Sequence, residues 1–202
     1  MTSMTTPSLI DAARAWIIET YPYNRTHLFA ALDWLDRVSP NASEAVRLAT
    51  LTHDMERAFP GPDQPLNTNL IDPAYEHAHA LRSARIVGQW LHAHHADVLL
   101  IDEVERLITA HEVGGWPDAD LVQAADSLAF LDTNVDLFLD FVRSGRFSAA
   151  DVGRKFDRSR DRIRIPHLKA LAEPMVAAAH ARLTALLAER AAAGAQASGS
   201  LA

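Results

Sequence analysis

The chain has 202 residues, 49% of them hydrophobic, and it contains no cysteine. This length predicts a single globular domain with one sizeable core. The lack of cysteine excludes disulfides, thiolate nucleophiles and cysteine-ligated zinc or iron–sulfur sites, so any bound metal must be held by nitrogen and oxygen. The formal charge of -7 argues against binding to nucleic acid polymers or anionic membranes, which normally requires an excess of Lys and Arg.

The first residues show no basic segment followed by an apolar stretch, and the sequence has no uninterrupted apolar run of about 18 residues. We therefore expect a cytoplasmic protein with no membrane segment. Abundant Ala and Leu, only eight Gly and the lack of alternating strand-like runs predict an all-α fold.

Helical periodicity and capping signals predict about eight helices. The first three span 8–20, 24–38 and 41–57, and the third opens with Asn41 and Glu44 as a capping box. A long loop with three prolines follows, over 58–71. Loops of this length are often functional, so it is either the rim of a site or a surface connection.

The later helices are also marked by end signals. Asp72 and Pro73 open the fourth as N-cap and first helical residue. The predicted ranges are 72–95, 102–111 with Asp102 and Glu105 as capping box, 118–144, one from Ser148 with Asp151, and one from Pro166. We expect one domain over 1–193 and a disordered tail over 194–202, where small and polar residues replace the apolar pattern.

Four predicted helices each place an imidazole or carboxylate on an apolar face. These residues are His27, His53, His111 and Asp126. An unpaired buried group of this kind is unfavourable by several kcal/mol, so each needs a partner. A single such histidine is usually a hydrogen-bonded core residue, but four helices that all present one indicate a shared metal site.

The order of these residues resembles a known family. His53 is followed by Asp54, and the order H, HD, H, H, D over 23–132 resembles the HD-domain superfamily of metal-dependent phosphohydrolases. The resemblance implies an HD-domain-like helical bundle of the predicted eight helices. It also implies a metal site formed by His27, His53, Asp54, His79, His111 and Asp126.

The fourth histidine is the least constrained by periodicity, which does not choose between His77 and His79. The segment 79–84 resembles the H-x-x-x-S-A segment of the family, in which small residues allow close helix packing around the metal. The resemblance therefore selects His79, with His77 as the alternative. Three further histidines near the end of the same helix are expected in solvent: His92, His94 and His95.

Imidazole and carboxylate ligands suit divalent Fe, Mn, Co, Ni, Zn or Mg. HD proteins with two additional histidines resemble two-metal enzymes, so the resemblance implies two ions rather than one. One ion would be held by His27, His53, Asp54 and Asp126, and the other by His79 and His111. Asp54 would bridge both ions.

The resulting hypothesis is hydrolysis of a phosphate ester or anhydride, in a small molecule or nucleotide, by a metal-activated hydroxide. Asp54 is then catalytic, and Glu56 either orients water and shuttles a proton or lies on the surface. The candidate phosphate contacts are Arg25, Lys155, Arg158 and Arg162. The basic segment 154–164 could instead be a solvated helix with internal ion pairs.

Two other functions fit the same pattern. A di-iron oxygenase of the HD type would use the same ligands to activate dioxygen, and a non-catalytic HD module would bind a nucleotide or partner as a sensor. The final helix could pack on the core or on another subunit, so an oligomer is compatible with the sequence.

Overall fold

The computed structural model describes residues 7–199, and within this range all regular secondary structure is helical, with no strand. A short 3-10 helix, Met55–Ala58, follows the third α-helix. The nine α-helices of the described residues are α1 (Leu9–Thr20), α2 (Arg25–Val38), α3 (Glu44–Thr52), α4 (Pro73–Ala93), α5 (Val98–Ala110), α6 (Pro117–Thr133), α7 (Val135–Arg143), α8 (Ala149–Asp161) and α9 (Pro166–Gly199). The predicted all-α class is confirmed.

Two predicted helix starts are correct because the capping hydrogen bonds form locally. The Asp72 side chain accepts a hydrogen bond from the backbone N–H of Ala74, and Pro73 is the first residue of α4. At the start of α8, Ser148 and Asp151 form a reciprocal capping box.

Two other starts differ from the prediction. α3 begins at Glu44, where Ser43 rather than Asn41 caps the helix. α5 begins at Val98 and is capped by Asp97, so the predicted capping residue Asp102 lies inside the helix.

The predicted helix over 118–144 is two helices. α6 ends at Thr133 and α7 begins at Val135, with the buried Asn134 between them. Asn134 has φ -102° and ψ -4°, which interrupts the regular helical dihedrals. This break accounts for nine helices instead of about eight.

Buried apolar side chains form two clusters that share α6. The first lies among α1 to α6 and includes Ile17, Leu32 and Leu107. The second lies among α6 to α9 and includes Phe156 and Val176. α2 packs along α6, and α4 packs along α5. α6 is therefore central, and it carries Asp126 between the two clusters.

The predicted tail over 194–202 lies partly outside the described residues. α9 extends to Gly199, whereas residues 1–6 and 200–202 lie outside the described residues. The domain boundary at 193 and the disorder of the tail stay predictions. Of the helices in the described range, none combines the length and apolar character needed to cross a membrane.

Candidate metal centre

Five helices bring all six predicted ligand residues to one place. His27 lies in the first turn of α2, His53 and His111 cap the C-terminal ends of α3 and α5, and Asp126 lies in α6. His79 lies in α4, and Asp54 follows His53 at the start of the 3-10 helix. None of the six is more than 5% exposed.

Three of these residues form one half of the cluster. His27 Nε2 lies 3.1 Å from Asp126 Oδ1, and His53 Nε2 lies 3.3 Å from the same oxygen. The two Nε2 atoms are 3.3 Å apart. Three potential ligand atoms therefore converge on one point.

The other half is formed by His79 and His111, whose Nε2 atoms are also 3.3 Å apart. Asp54 Oδ1 lies 3.3 Å from His79 Nε2 and 3.9 Å from His53 Nε2. Asp54 therefore joins the two halves through a single carboxylate oxygen.

The hydrogen bonds of the imidazoles test whether these residues fit a cation. His111 Nδ1 lies 2.6 Å from the carbonyl oxygen of Ile108, and His79 Nδ1 lies 3.4 Å from Glu56 Oε1. A neutral imidazole carries one N–H, so both rings hold it at Nδ1 and leave an Nε2 lone pair. Two lone pairs that face each other at 3.3 Å repel unless a cation or a proton lies between them.

The spacing also suits a metal. With metal–nitrogen distances of about 2.0–2.1 Å, two neighbouring ligand nitrogens are separated by about 2.9–3.4 Å. The separation between His79 and His111 lies in that range. At the other half His27 Nδ1 has no hydrogen-bond partner among the described residues, and its Nε2 lies within hydrogen-bond distance of Asp126 Oδ1.

The buried carboxylates of the cluster are stable only with positive charge near them. Burial lowers the pKa of His53, but the carboxylates of Asp126 and Asp54 raise it to about 9. His53 therefore holds a second proton near neutral pH in the absence of a metal. A metal ion would displace that proton and compensate the same carboxylates.

One carboxylate of the cluster was missed by the sequence analysis. Glu112 Oε1 lies 3.6 Å from His111 Nε2 and 3.8 Å from His79 Nε2, and the residue is buried. With the two histidines it forms a third group that could hold a metal ion. Its position directly after His111 was the available signal, but it follows the end of α5, where helical periodicity no longer indicates which side chains face inward.

The cluster contains three carboxylates, those of Asp54, Asp126 and Glu112. In each, one oxygen lies near the histidines and the other accepts a hydrogen bond from an arginine. Asp54 Oδ2 accepts from Arg57 at 2.7 Å, and Asp126 Oδ2 accepts from Arg162 at 2.5 Å. Arg162 also donates to Glu112 Oε2. Burial raises the pKa of each carboxyl group, but the guanidinium groups lower it by more, so all three pKa values lie below their ordinary range. The carboxylates are therefore charged and available to a cation.

Glu56 lies behind His79 rather than on the surface. It is 1% exposed, and Arg82 Nη1 donates to its Oε2 at 3.1 Å. Its backbone N–H donates to Ser83 Oγ, which holds the turn after His53 and Asp54 against α4. Glu56 therefore orients the His79 ring, and the small side chain of Ser83 allows this close approach.

The choice between the two histidines of α4 follows from their burial. His79 is fully buried in the cluster, whereas His77 is exposed. His92, His94 and His95 are exposed near the end of α4, as predicted.

The four candidate phosphate contacts have different surroundings. Lys155 and Arg162 line a cavity of about 60 Å³ beside the cluster, but Arg162 is already paired with two carboxylates. Arg158 is paired with Glu76 at 2.7 Å, and Arg25 is exposed. In the part of the chain that the structure describes, Lys155 has no carboxylate within 4 Å, so its ammonium group is unpaired beside the cavity. Burial lowers its pKa, although the nearby carboxylates of Glu112 and Glu76 raise it.

Arg57 is a further cation that the sequence analysis did not select. It lines the same cavity, three residues after Asp54. Burial lowers the pKa of its guanidinium group, but the Asp54 carboxylate and its other neighbours raise it by more, so Arg57 stays charged. The cavity exceeds the roughly 10–15 Å³ that one water needs, so it has room for several waters or a phosphoryl group. Comparisons with models of known families, with curated proteins and with solved structures find no match for this chain.

The two histidines of α4 provide a matched test of metal binding. We expect His79→Ala to lose at least one metal per chain relative to the unmodified protein, because it removes a converging Nε2. His77→Ala should retain the full content, because that side chain is exposed. Elemental analysis after dialysis measures both, and equal metal content in the two variants would contradict this assignment.

Arg82 and Arg85 provide a matched test of the support behind His79. Both bind Asp63, but only Arg82 is buried and also binds Glu56. Arg82→Leu leaves Glu56 without its buried partner, so we expect a loss of about 3–5 kcal/mol in the free energy of unfolding. Arg85→Leu should cost less than about 1 kcal/mol. Urea denaturation measures both, and similar losses would show that the buried pair is not the important one.

Proposed function

We propose that this chain is a metal-dependent phosphohydrolase of the HD type, acting on a phosphate ester or anhydride of a small molecule. The observation that carries the proposal is the pair of facing Nε2 atoms of His79 and His111, within a cluster that follows the order of the HD family. Membership of that family is part of the proposal. It rests on the order of the residues and on their convergence.

The ligand atoms divide naturally between two ions. His27, His53 and Asp126 would hold the first, while His79, His111 and Glu112 would hold the second. Asp54 Oδ1 lies between the two groups and would be shared. Two bound divalent cations supply the polarisation of a phosphoryl oxygen and the lowered pKa of a nearby water.

The charge balance of the cavity favours an anionic substrate. Asp54, Asp126 and Glu112 already have guanidinium partners in Arg57 and Arg162. Bound divalent ions would therefore make the cavity positive rather than merely neutral. A phosphoryl group compensates that excess, and Lys155 would donate to one of its oxygens.

The remaining side chains position these groups. Thr50 and Ile108 accept the Nδ1 protons of His53 and His111, and Glu56 accepts that of His79. These bonds fix which nitrogen of each ring faces the cavity. Lys155 would hold the phosphoryl group beside these residues. The oxygen of a water would bond to phosphorus as the P–O bond to the leaving group breaks, and a proton of that water would end on the leaving oxygen.

Asp54→Asn tests the proposal, because it removes the negative oxygen between the two groups while keeping the side-chain shape. We expect protein purified without oxygen and supplied with divalent metals to hydrolyse phosphate esters, and the variant to lose at least about 100-fold in turnover together with bound metal. Asp140→Asn, at an exposed carboxylate of α7 that is paired with Arg143, should change neither.

The same assay separates the other two functions. Turnover that requires dioxygen and consumes it would establish the oxygenase instead. Metal binding without turnover of any phosphate ester would support the sensor. Unchanged metal content and turnover in Asp54→Asn would contradict all metal-centred functions at this cluster.

Lys155→Met tests the phosphate contact. We expect KM for a phosphate ester to rise about tenfold or more, because the substitution removes one charge-assisted hydrogen bond to the substrate. Arg154→Met is the control, because the neighbouring Arg154 is exposed and paired with Asp151. Steady-state kinetics measures both, and an equal effect of the two substitutions would show that the overall basic charge matters rather than the position of Lys155.

A further inference from the structure

A second, larger cavity adjoins the one beside the metal cluster. Its volume is about 330 Å³, which is the lower end of the range of small-molecule sites. The two cavities share a wall formed by Arg57, Asn67, Leu70, Tyr75, Asn134 and Phe138. A molecule with its phosphoryl group at the cluster could therefore extend directly into the larger cavity.

A row of aromatic rings leads from one cavity to the other. Phe130 and Phe138 line the inner cavity, with ring centres 4.9 Å apart. Phe138, Phe141 and Phe147 line the outer one, at centre separations of 5.2 Å and 5.8 Å along the row. Arg146 lies over both Phe141 and Phe147, which holds these two rings in place.

Another part of the wall of the outer cavity comes from the long loop between the 3-10 helix and α4. Gln64, Pro65 and Leu66 of this loop line the outer cavity. The sequence left this loop as either the rim of a site or a surface connection, and its residues form a wall of a cavity next to the cluster. Leu66 is 83% exposed, so the described residues cover little of its apolar side chain.

A polar atom at the junction also lacks a partner. Asn67 lines both cavities, and its Oδ1 is buried without a hydrogen bond to any described residue. A buried acceptor of this kind needs a donor. A hydroxyl or N–H on a bound molecule that passes between the two cavities would supply one.

We propose that the substrate is a phosphate monoester whose organic group carries an aromatic ring. The ring lies in the outer cavity between the phenylalanine row and Leu66, and the phosphoryl group lies at the cluster. This inference rests on the proposed function. In the reaction the oxygen of water forms a bond to phosphorus, the ester P–O bond breaks, and the proton from water ends on the leaving alcohol.

The proposal excludes substrates that fill only the inner cavity. Inorganic pyrophosphate or a short aliphatic phosphate does not reach Phe141 and Phe147, which line only the outer cavity. An aromatic group stacks on them in an offset or edge-to-face arrangement and removes their apolar surface from water. Selectivity between two esters whose leaving alcohols have similar basicity therefore measures the contribution of the outer cavity.

The test compares 3-phenylpropyl phosphate with n-propyl phosphate on the metal-loaded protein, because both esters release a primary alcohol of similar basicity. We expect kcat/KM to be at least about tenfold higher for the phenylpropyl ester. Leu66→Ser should reduce this ratio at least threefold, by removing one wall. Leu99→Ser, at an equally exposed leucine of α5 that lines neither cavity, should leave the ratio unchanged.

Binding of the two corresponding phosphonates, which cannot be hydrolysed, distinguishes failure of this inference from failure of the proposed function. Turnover of both esters with equal kcat/KM, or a ratio unaffected by Leu66→Ser, would overturn the aromatic substrate. Selective binding of the phenylpropyl phosphonate without turnover of any ester would support the outer cavity as the site of an aromatic group and would overturn the proposed hydrolase function. If neither phosphonate binds, both proposals fail.

Discussion

The rest of the structure depends on the burial of imidazoles and carboxylates where α2, α3, α4, α5 and α6 meet. Isolated ionised groups are too costly to remove from water, so each must have a compensating partner. Most of them find one within the chain, because Arg57, Arg82 and Arg162 neutralise the carboxylates. The facing Nε2 atoms of His79 and His111 have no guanidinium beside them. Their neighbours are carboxylate oxygens of Asp54 and Glu112, which are acceptors, so only a cation or a proton removes the repulsion.

This constraint explains why helix ends and hydrogen bonds are placed as they are. His53 is the C-cap residue of α3 and His111 is that of α5, so each ring can donate from Nδ1 to a carbonyl of the last turn of its helix and direct Nε2 inward. Asp126 lies in the middle of α6, and this helix contributes residues to both apolar clusters. The same packing that forms the core therefore fixes the geometry of the candidate centre.

The sequence predicted what depends on short-range signals. Asp72 marks a helix start because its hydrogen bond is made within one turn. The sequence did not predict that the helix over 118–144 breaks at Asn134, because no glycine or proline interrupts the apolar pattern there. The start of α5 was misplaced because its first turn exposes Val98 and Leu99, so no inward stripe marks it. Glu112 was missed because its direction depends on the turn after α5, which tertiary packing determines.

The central claim is that the two halves of the cluster hold metal ions rather than protons. Anomalous diffraction from crystals grown with manganese or zinc tests it most directly. The account predicts an anomalous peak within about 2.0–2.3 Å of both His79 Nε2 and His111 Nε2, and a second beside His27, His53 and Asp126. Crystals that show no anomalous peak at either place, with the histidines hydrogen-bonded to each other or to water, would contradict it.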